Sequence, residues 1–131
     1  MKVLALDYGS ARTGVAVSDP TGTVARPLEV VREAATEAGL ARLVELAREE
    51  NVERIIVGLP ITLRGEHGAQ AEETGRFVEL LRAATDLPVE SFDERFTTKL
   101  ADAFDAKAEQ DSVAAAHLLT SYLTWKSARP A

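Results

Sequence analysis

At 131 residues the chain has the length of one ordinary domain and is too short for two well-cored ones. Its 46% hydrophobic and 27% charged residues, with a mean hydropathy of -0.07, are the makeup of a soluble globular protein and argue against both disorder and a membrane protein. A net charge of -6, from 15 basic and 21 acidic residues, runs against the basic balance usual for a nucleic-acid binder.

The first seven residues, Met1 to Asp7, are a short apolar run closed by an acid and Tyr8-Gly9, which reads as a strand buried on both faces. Thr13 to Asp19 forms a second strand, and Asp19-Pro20-Thr21-Gly22 supplies turn chemistry before a third at Thr23 to Arg26. Pro27 either ends that strand or sits where its missing N–H is harmless, and Leu28 to Val31 can extend it. These three strands suggest an antiparallel meander. From Thr36 the period becomes helical, with Leu40, Leu43, Val44 and Ala47 on one face and Asn51-Val52 as the stop. Arg54 to Pro60 is another buried strand, followed by a loop with Gly65 and Gly68. Phe77, Leu80, Leu81 and Ala84 mark a second helix, Leu87-Pro88 breaks it, and Val89 to Phe92 makes a fifth strand. Helical sequence runs from about Thr97 to Ala108 and again from Ser112 to about Lys126, and 127–131 is expected to fray. The order predicts an α/β domain spanning 1–131, in which right-handed crossovers set the later strands parallel beside the meander.

The absence of cysteine excludes a disulfide framework, a thiolate nucleophile and a zinc–thiolate cluster. His67 and His117 are too few for a zinc site, and both read as incidental or structural, so any metal must be held by oxygens. Apolar runs such as Val3 to Leu6 and Ile55 to Val57 fall far short of the ~20 residues of a spanning helix. Without a basic-then-apolar leader either, a cytoplasmic protein with no membrane partner is expected.

Three acids stand at related places: Asp7 ends the first strand, Glu94 follows the fifth, and Asp111 starts the last helix. Ligands of open α/β sheets gather at the carboxyl ends of strands, where the first two lie. Asp111, Ala115, Leu118, Tyr122 and Trp125 form one helical stripe that is otherwise core-facing, so Asp111 heads toward the sheet. Taken singly, Asp7 could be a turn former, Asp111 an N-cap and Glu94 a solvated charge; only their joint placement points to a site. Converging carboxylates without cysteine suit Mg²⁺ or Mn²⁺, and two such ions ~3.5–4 Å apart can clamp a phosphodiester for hydrolysis. Arg12, Arg95, Thr97, Thr98 and Lys99 lie near the acids in sequence and can hold phosphate oxygens, whereas Tyr122 and Trp125 read as packing. Gly9 to Gly14 has P-loop spacing, but Val15 stands where the lysine belongs, and a P-loop or Rossmann nucleotide site is unsupported.

Asp7-Tyr8-Gly9 with Arg12 and Gly14, Ile55 to Pro60, Asp93-Glu94-Arg95 with Thr98, and Asp111 to Ala115 occur in an order and spacing that resemble the YqgF (RuvX) family. The resemblance spans residues 1 to about 125 and implies an RNase H-like fold, a five-stranded mixed sheet with helices on both faces. It implies that Asp7, Glu94 and Asp111 are an acidic metal-binding triad, in agreement with their placement, beside which Arg12, Arg95 and Thr98 are the candidate substrate-binding residues. The implied activity is a divalent-metal-dependent endonuclease that processes the 5′ end of precursor 16S ribosomal RNA, or, as the alternative, a resolvase of four-way DNA junctions. A homodimer would serve the latter, because symmetric resolution needs two active sites. Other classes to weigh are half of an actin-like ATPase, which would require a second domain, and an inactive nucleic-acid-binding module. The chain departs from the family pattern in having Thr62 where asparagine is common and in a short segment before Asp111 whose only base after Ala101 is Lys107.

The acidity is local. Residues 86–111 hold eight acids and three bases, and the rest of the chain is nearly neutral. Bound divalent cations would offset that charge where a phosphate must approach. Arginine, the better bidentate phosphate partner, supplies 11 of the 15 bases.

Overall fold

A computed structural model describes residues 1–59, 69–93 and 110–127. Its order is β1 (Val3–Asp7), β2 (Arg12–Ser18), β3 (Ala25–Arg32), α1 (Glu37–Glu49), β4 (Arg54–Leu59), α2 (Ala69–Ala84), β5 (Val89–Asp93) and α3 (Gln110–Ser127). The expected loop with Gly65 and Gly68, the expected helix from Thr97 to Ala108, and residues 128–131 lie outside the described residues; Ser127 is still helical.

The strands form one sheet in the order β3-β2-β1-β4-β5. β1 pairs antiparallel with β2, β2 antiparallel with β3, and β4 parallel with both β1 and β5, which is the expected meander beside a parallel half. β3 continues past Pro27 through Leu28 to Val31, the second of the two outcomes expected there, because Pro27 lies on an edge strand. The register shifts at Val15/Ala16, which pair with Glu29 and Pro27, and this irregularity accommodates the ring. Asp19 closes the β2–β3 hairpin, its carboxylate accepting from the backbone N–H groups of Thr23 (2.7 Å) and Val24 (3.0 Å) and from the Thr21 hydroxyl.

Strand alternation sends side chains to two cores. Leu4, Leu6, Val15, Val17, Ile55, Val57 and Val89 pack with Leu43, Leu46 and Ala47 of α1 and Phe77, Val78 and Leu81 of α2. Val3, Ala5, Ala16, Ile56 and Phe92 pack with Ala115, Leu118, Leu119 and Tyr122 of α3. Two helical stripes differ from the sequence expectation. Leu46 rather than Val44 is fully buried on α1, and Leu80 of α2 is exposed, its place in the core taken by Ala71, Thr74 and Val78. Both shifts follow from two helices sharing one sheet face, so each stripe turns toward the groove with its neighbour.

α1 starts where Thr36 accepts a hydrogen bond from the Gly39 N–H at 3.1 Å and ends before Asn51, which takes the left-handed conformation at φ 55°. Among the described residues no helix is long and apolar enough to cross a membrane.

Candidate nuclease site

α3 is fixed on the sheet by its C-terminal half. The Tyr122 hydroxyl donates to Glu90 Oε1 at 2.5 Å, and Arg54 Nη1 donates to both Tyr122 Oη at 3.1 Å and Glu90 Oε1 at 3.2 Å. The Tyr122 ring meets Phe92 edge-on at 5.4 Å. Arg54 and Glu90 stand at the start of β4 and β5, so α3 runs antiparallel to β1, β4 and β5. From Tyr122 back to Asp111 is 11 residues, about 16 Å of helix, while Val3 to Asp7 spans about 13 Å of strand. The helix is therefore long enough to reach from the starts of the strands toward their carboxyl ends. The backbone of Asp111 belongs to α3, so it is helical and is not the residue that caps that helix.

Asp7 is half-buried at the end of β1. It shares the α3 face with Val3 and Ala5, and the residues level with it on both neighbouring strands are glycines. Gly14 is its direct partner on β2, and the β1–β4 register, which pairs Leu6 with Val57, brings Gly58 alongside on the other flank. Both glycines are buried. No Cβ projects from either of the two backbone positions level with Asp7. The small α3-facing residues of β2, Gly14, Ala16 and Ser18, also let that helix lie close.

The next residue turns to the opposite face. Tyr8 is buried and stacks on Phe77 of α2, ring centroids 4.3 Å apart and 16° between planes. Burial, reinforced by the hydrogen-bonded Glu73 carboxylate, raises the Tyr8 hydroxyl above the ordinary tyrosine pKa. The strand end that carries Asp7 is thus backed on the opposite face by the Tyr8–Phe77 stack. The following turn is narrow: a Cβ on Gly9 would lie 2.5 Å from the Arg12 carbonyl oxygen, so glycine is required there. The buried Thr13 hydroxyl bridges back to the Gly9 N–H and C=O at 3.4 Å each.

Arg12 is exposed at the start of β2, at the same edge as Asp7. Glu94, Arg95, Thr97, Thr98 and Lys99 lie outside the described residues, as does His67; β5 brings the chain to Asp93 at this edge, one residue short of Glu94. His117 is half-buried on α3. Among the described residues no group of three metal-ligating side chains occurs. Of the expected carboxylate set, Asp7 is the side chain that the structure describes at this edge, and oxygen donors of that kind suit a hard divalent cation. Arg32 and the Tyr8–Phe77 stack were not singled out from sequence. Arg32 shows only once strand register is known, whereas an aromatic beside a strand-end aspartate was a readable signal.

A protein-family model described as RuvX, Holliday junction resolvase, matches residues 1–125. A Chloroflexus aurantiacus protein with the curated name "Putative pre-16S rRNA nuclease" is 41% identical, over 98% of this chain and 90% of its own. A Rubrobacter xylanophilus protein of the same name is 45% identical over 93% and 91%. Among solved structures, Thermus thermophilus RuvC in complex with a Holliday junction substrate superposes with a TM-score of 0.65 at 21% identity, covering 97% of this chain and 96% of that one. That likeness shows the fold, a RuvC-type, RNase H-like sheet. Family match, relatives and fold agree: the chain belongs to the RuvX family.

Proposed function

We propose that the protein is a divalent-metal-dependent endonuclease of the cytoplasm, a single domain over 1–131, acting in 5′-end processing of precursor 16S ribosomal RNA and so in ribosome biogenesis. The observation that carries the reading is Asp7 at the carboxyl end of β1, with Gly14 and Gly58 level with it on the two neighbouring strands. The names of the relatives at 41% and 45% identity support the RNA substrate.

Asp7, Glu94 and Asp111 are the residues that would hold one or two Mg²⁺ or Mn²⁺ ions. Bound there, the metal would supply Lewis-acid stabilisation of the charge that builds on a scissile phosphodiester. The chain's own share is to fix three carboxylates at one edge of the sheet and to hold the phosphate in line. Asp7 is positioned by β1 pairing and by Tyr8 stacking on Phe77, so little reorganisation is needed as substrate arrives. Arg12, Arg95 and Thr98 bind non-bridging phosphate oxygens; a guanidinium does so with two parallel N–H groups.

Junction resolution is the second reading, favoured by the superposition on RuvC bound to a Holliday junction. It requires a homodimer that presents two such edges.

The test incubates the protein and Asp7→Asn with a labelled 16S precursor and a labelled four-way junction in Mg²⁺ and in Mn²⁺. The wild type is expected to cut the precursor, and the variant to cut neither substrate. Millimolar Mn²⁺ should raise the melting temperature of the wild type only. Identical products from the two proteins would overturn the site, and cutting of the junction alone would replace the RNA reading with resolution.

A further inference from the structure

Two arginines face each other across the meander at the candidate active edge. Arg12 on β2 is the direct cross-strand partner of Arg32 on β3, and both are exposed. Directly opposed residues of an antiparallel pair share one face, with Cβ atoms ~4.5–5.5 Å apart, and like charges in that position destabilise the sheet. This pair lies on the α3 face, two residues along the strands from the Asp7–Gly14–Val30 row.

The structure offers Arg32 no internal compensation. Among the described residues it makes no hydrogen bond or ion pair, and it is absent from those whose partners lie elsewhere. Glu29, three residues earlier on the strand, is engaged by Arg42 of α1 on the opposite face at 2.7 Å. The backbone around Arg32 is nevertheless tightly set. Glu33 takes the left-handed conformation at φ 47°, costly for a side chain with a Cβ, and its N–H donates to the Ala11 carbonyl at 3.0 Å. That bond clamps the end of β3 to the turn that follows Asp7. Thr36 then donates to the Glu33 carbonyl at 2.7 Å, tying the same corner to the start of α1. A strained, cross-braced corner thus presents an uncompensated guanidinium beside another.

We propose that Arg32 is a phosphate-binding residue, which with Arg12 grips the sugar-phosphate backbone next to the scissile bond. The proposal rests on the nuclease reading above and adds a contact to it. Two strand spacings and two residues of rise put the Arg32 Cα ~12 Å from that of Asp7, so the phosphate it holds is a neighbour of the one being cut. Such a contact serves binding and register rather than the chemical step. An anionic substrate would give the Arg32 guanidinium the counter-charge that the described residues do not supply. The acidic net charge makes this local pair of cations the more consequential for a polyanion.

The test compares wild type with Arg32→Gln and Arg32→Lys, on a 16S precursor fragment and on a four-way DNA junction. Cleavage is followed in Mn²⁺ and binding in Ca²⁺. Arg32→Gln should raise KM and Kd about tenfold on whichever substrate the wild type cuts, with kcat within about twofold. The slope of log Kd against log salt should fall by about 1. The melting temperature should hold or rise, the opposite of what loss of a structural residue gives. Arg32→Lys should regain the salt slope and only part of the affinity, because the bidentate fork is gone. An active wild type with unchanged KM and salt slope in Arg32→Gln would overturn the proposal and leave the nuclease reading intact. Loss of kcat together with a lower melting temperature would overturn it in favour of a structural role. A wild type that neither binds nor cuts either substrate would bring down the nuclease reading as well.

Discussion

Replacing Tyr122 by phenylalanine tests how α3 is seated. The ring is 1% exposed and keeps its packing in the variant, while the hydroxyl loses its bond to Glu90 and the one it accepts from Arg54. Bonds to charged groups contribute about 1.5–3 kcal/mol each, and a stranded buried partner costs more. Here the partners are not stranded. Arg54 and Glu90 still contact each other at 3.2 Å, and their side chains are 24% and 42% exposed, so water can reach them. The net loss should therefore fall near the low end, about 1–2 kcal/mol. An unfolding entropy of ~2.1 cal/mol/K per residue then converts this to a melting-temperature drop of roughly 4–7 °C. The pH dependence gives a second readout. Burial is the main cause that raises the Tyr122 hydroxyl above its ordinary value, followed by its bond to Glu90. A proton held more tightly in the folded chain means stability is full below about pH 10 and falls as pH rises toward the folded pKa. Tyr122→Phe should flatten that alkaline limb, leaving the contribution of Tyr8, which is raised in the same direction. Calorimetry at pH 7 and between pH 9 and 11 measures both effects. A melting temperature within 1 °C of wild type and an unaltered alkaline limb would refute the view that the Tyr122–Glu90–Arg54 cluster anchors the helix.

Two further outcomes follow from the fold, besides those expected of Asp7→Asn and Arg32→Gln. Gly14→Val places a branched side chain beside Asp7 under α3. It should cut both Mn²⁺-dependent thermal protection and cleavage by tenfold or more, while overpacking costs only about 1–3 kcal/mol of stability; full Mn²⁺ protection in this variant would show that the space beside Asp7 is not used. Asp19 is held well below the ordinary carboxylate range, first by the Thr21 hydroxyl and then by the Val24 and Thr23 N–H groups. A depressed pKa gives stability that is present above about pH 4 and lost as pH falls toward the folded value, so Asp19→Asn should flatten the acid limb of a melting-temperature profile below pH 4.

The binary pattern of the sequence carried most of the architecture. Unbroken apolar runs such as Val3 to Leu6 and Ile55 to Val57 marked strands covered on both faces, and the switch to helical period at Thr36 marked the end of the meander. The stripe through Ala115, Leu118 and Tyr122 was legible because 3.6-residue periodicity survives in any buried helix. Local pattern was insufficient where two elements compete for one surface, as with Leu46 and Leu80, whose burial depends on how α1 and α2 share a sheet face. At Pro27 the sequence left two outcomes open, and the edge position with its register shift decided for a strand that continues through Leu28 to Val31.

For the site, the sequence by itself pointed to a kind of chemistry: acids without cysteine at strand and helix ends form the oxygen donor set that a hard cation takes. Position along the chain also singled out Asp7, because a strand that ends in an acid exposes it at the sheet's carboxyl edge. What only the tertiary structure decided is adjacency. Gly14 and Gly58 are 44 residues apart in sequence, yet hydrogen-bonded register sets them on either side of Asp7. Arg12 and Arg32 become a pair, and Arg54, Glu90 and Tyr122 a cluster, through the same long-range pairing. The physical reason is that periodicity reports which face a residue takes, whereas its neighbour on that face is chosen by strand order and register, which non-local packing sets.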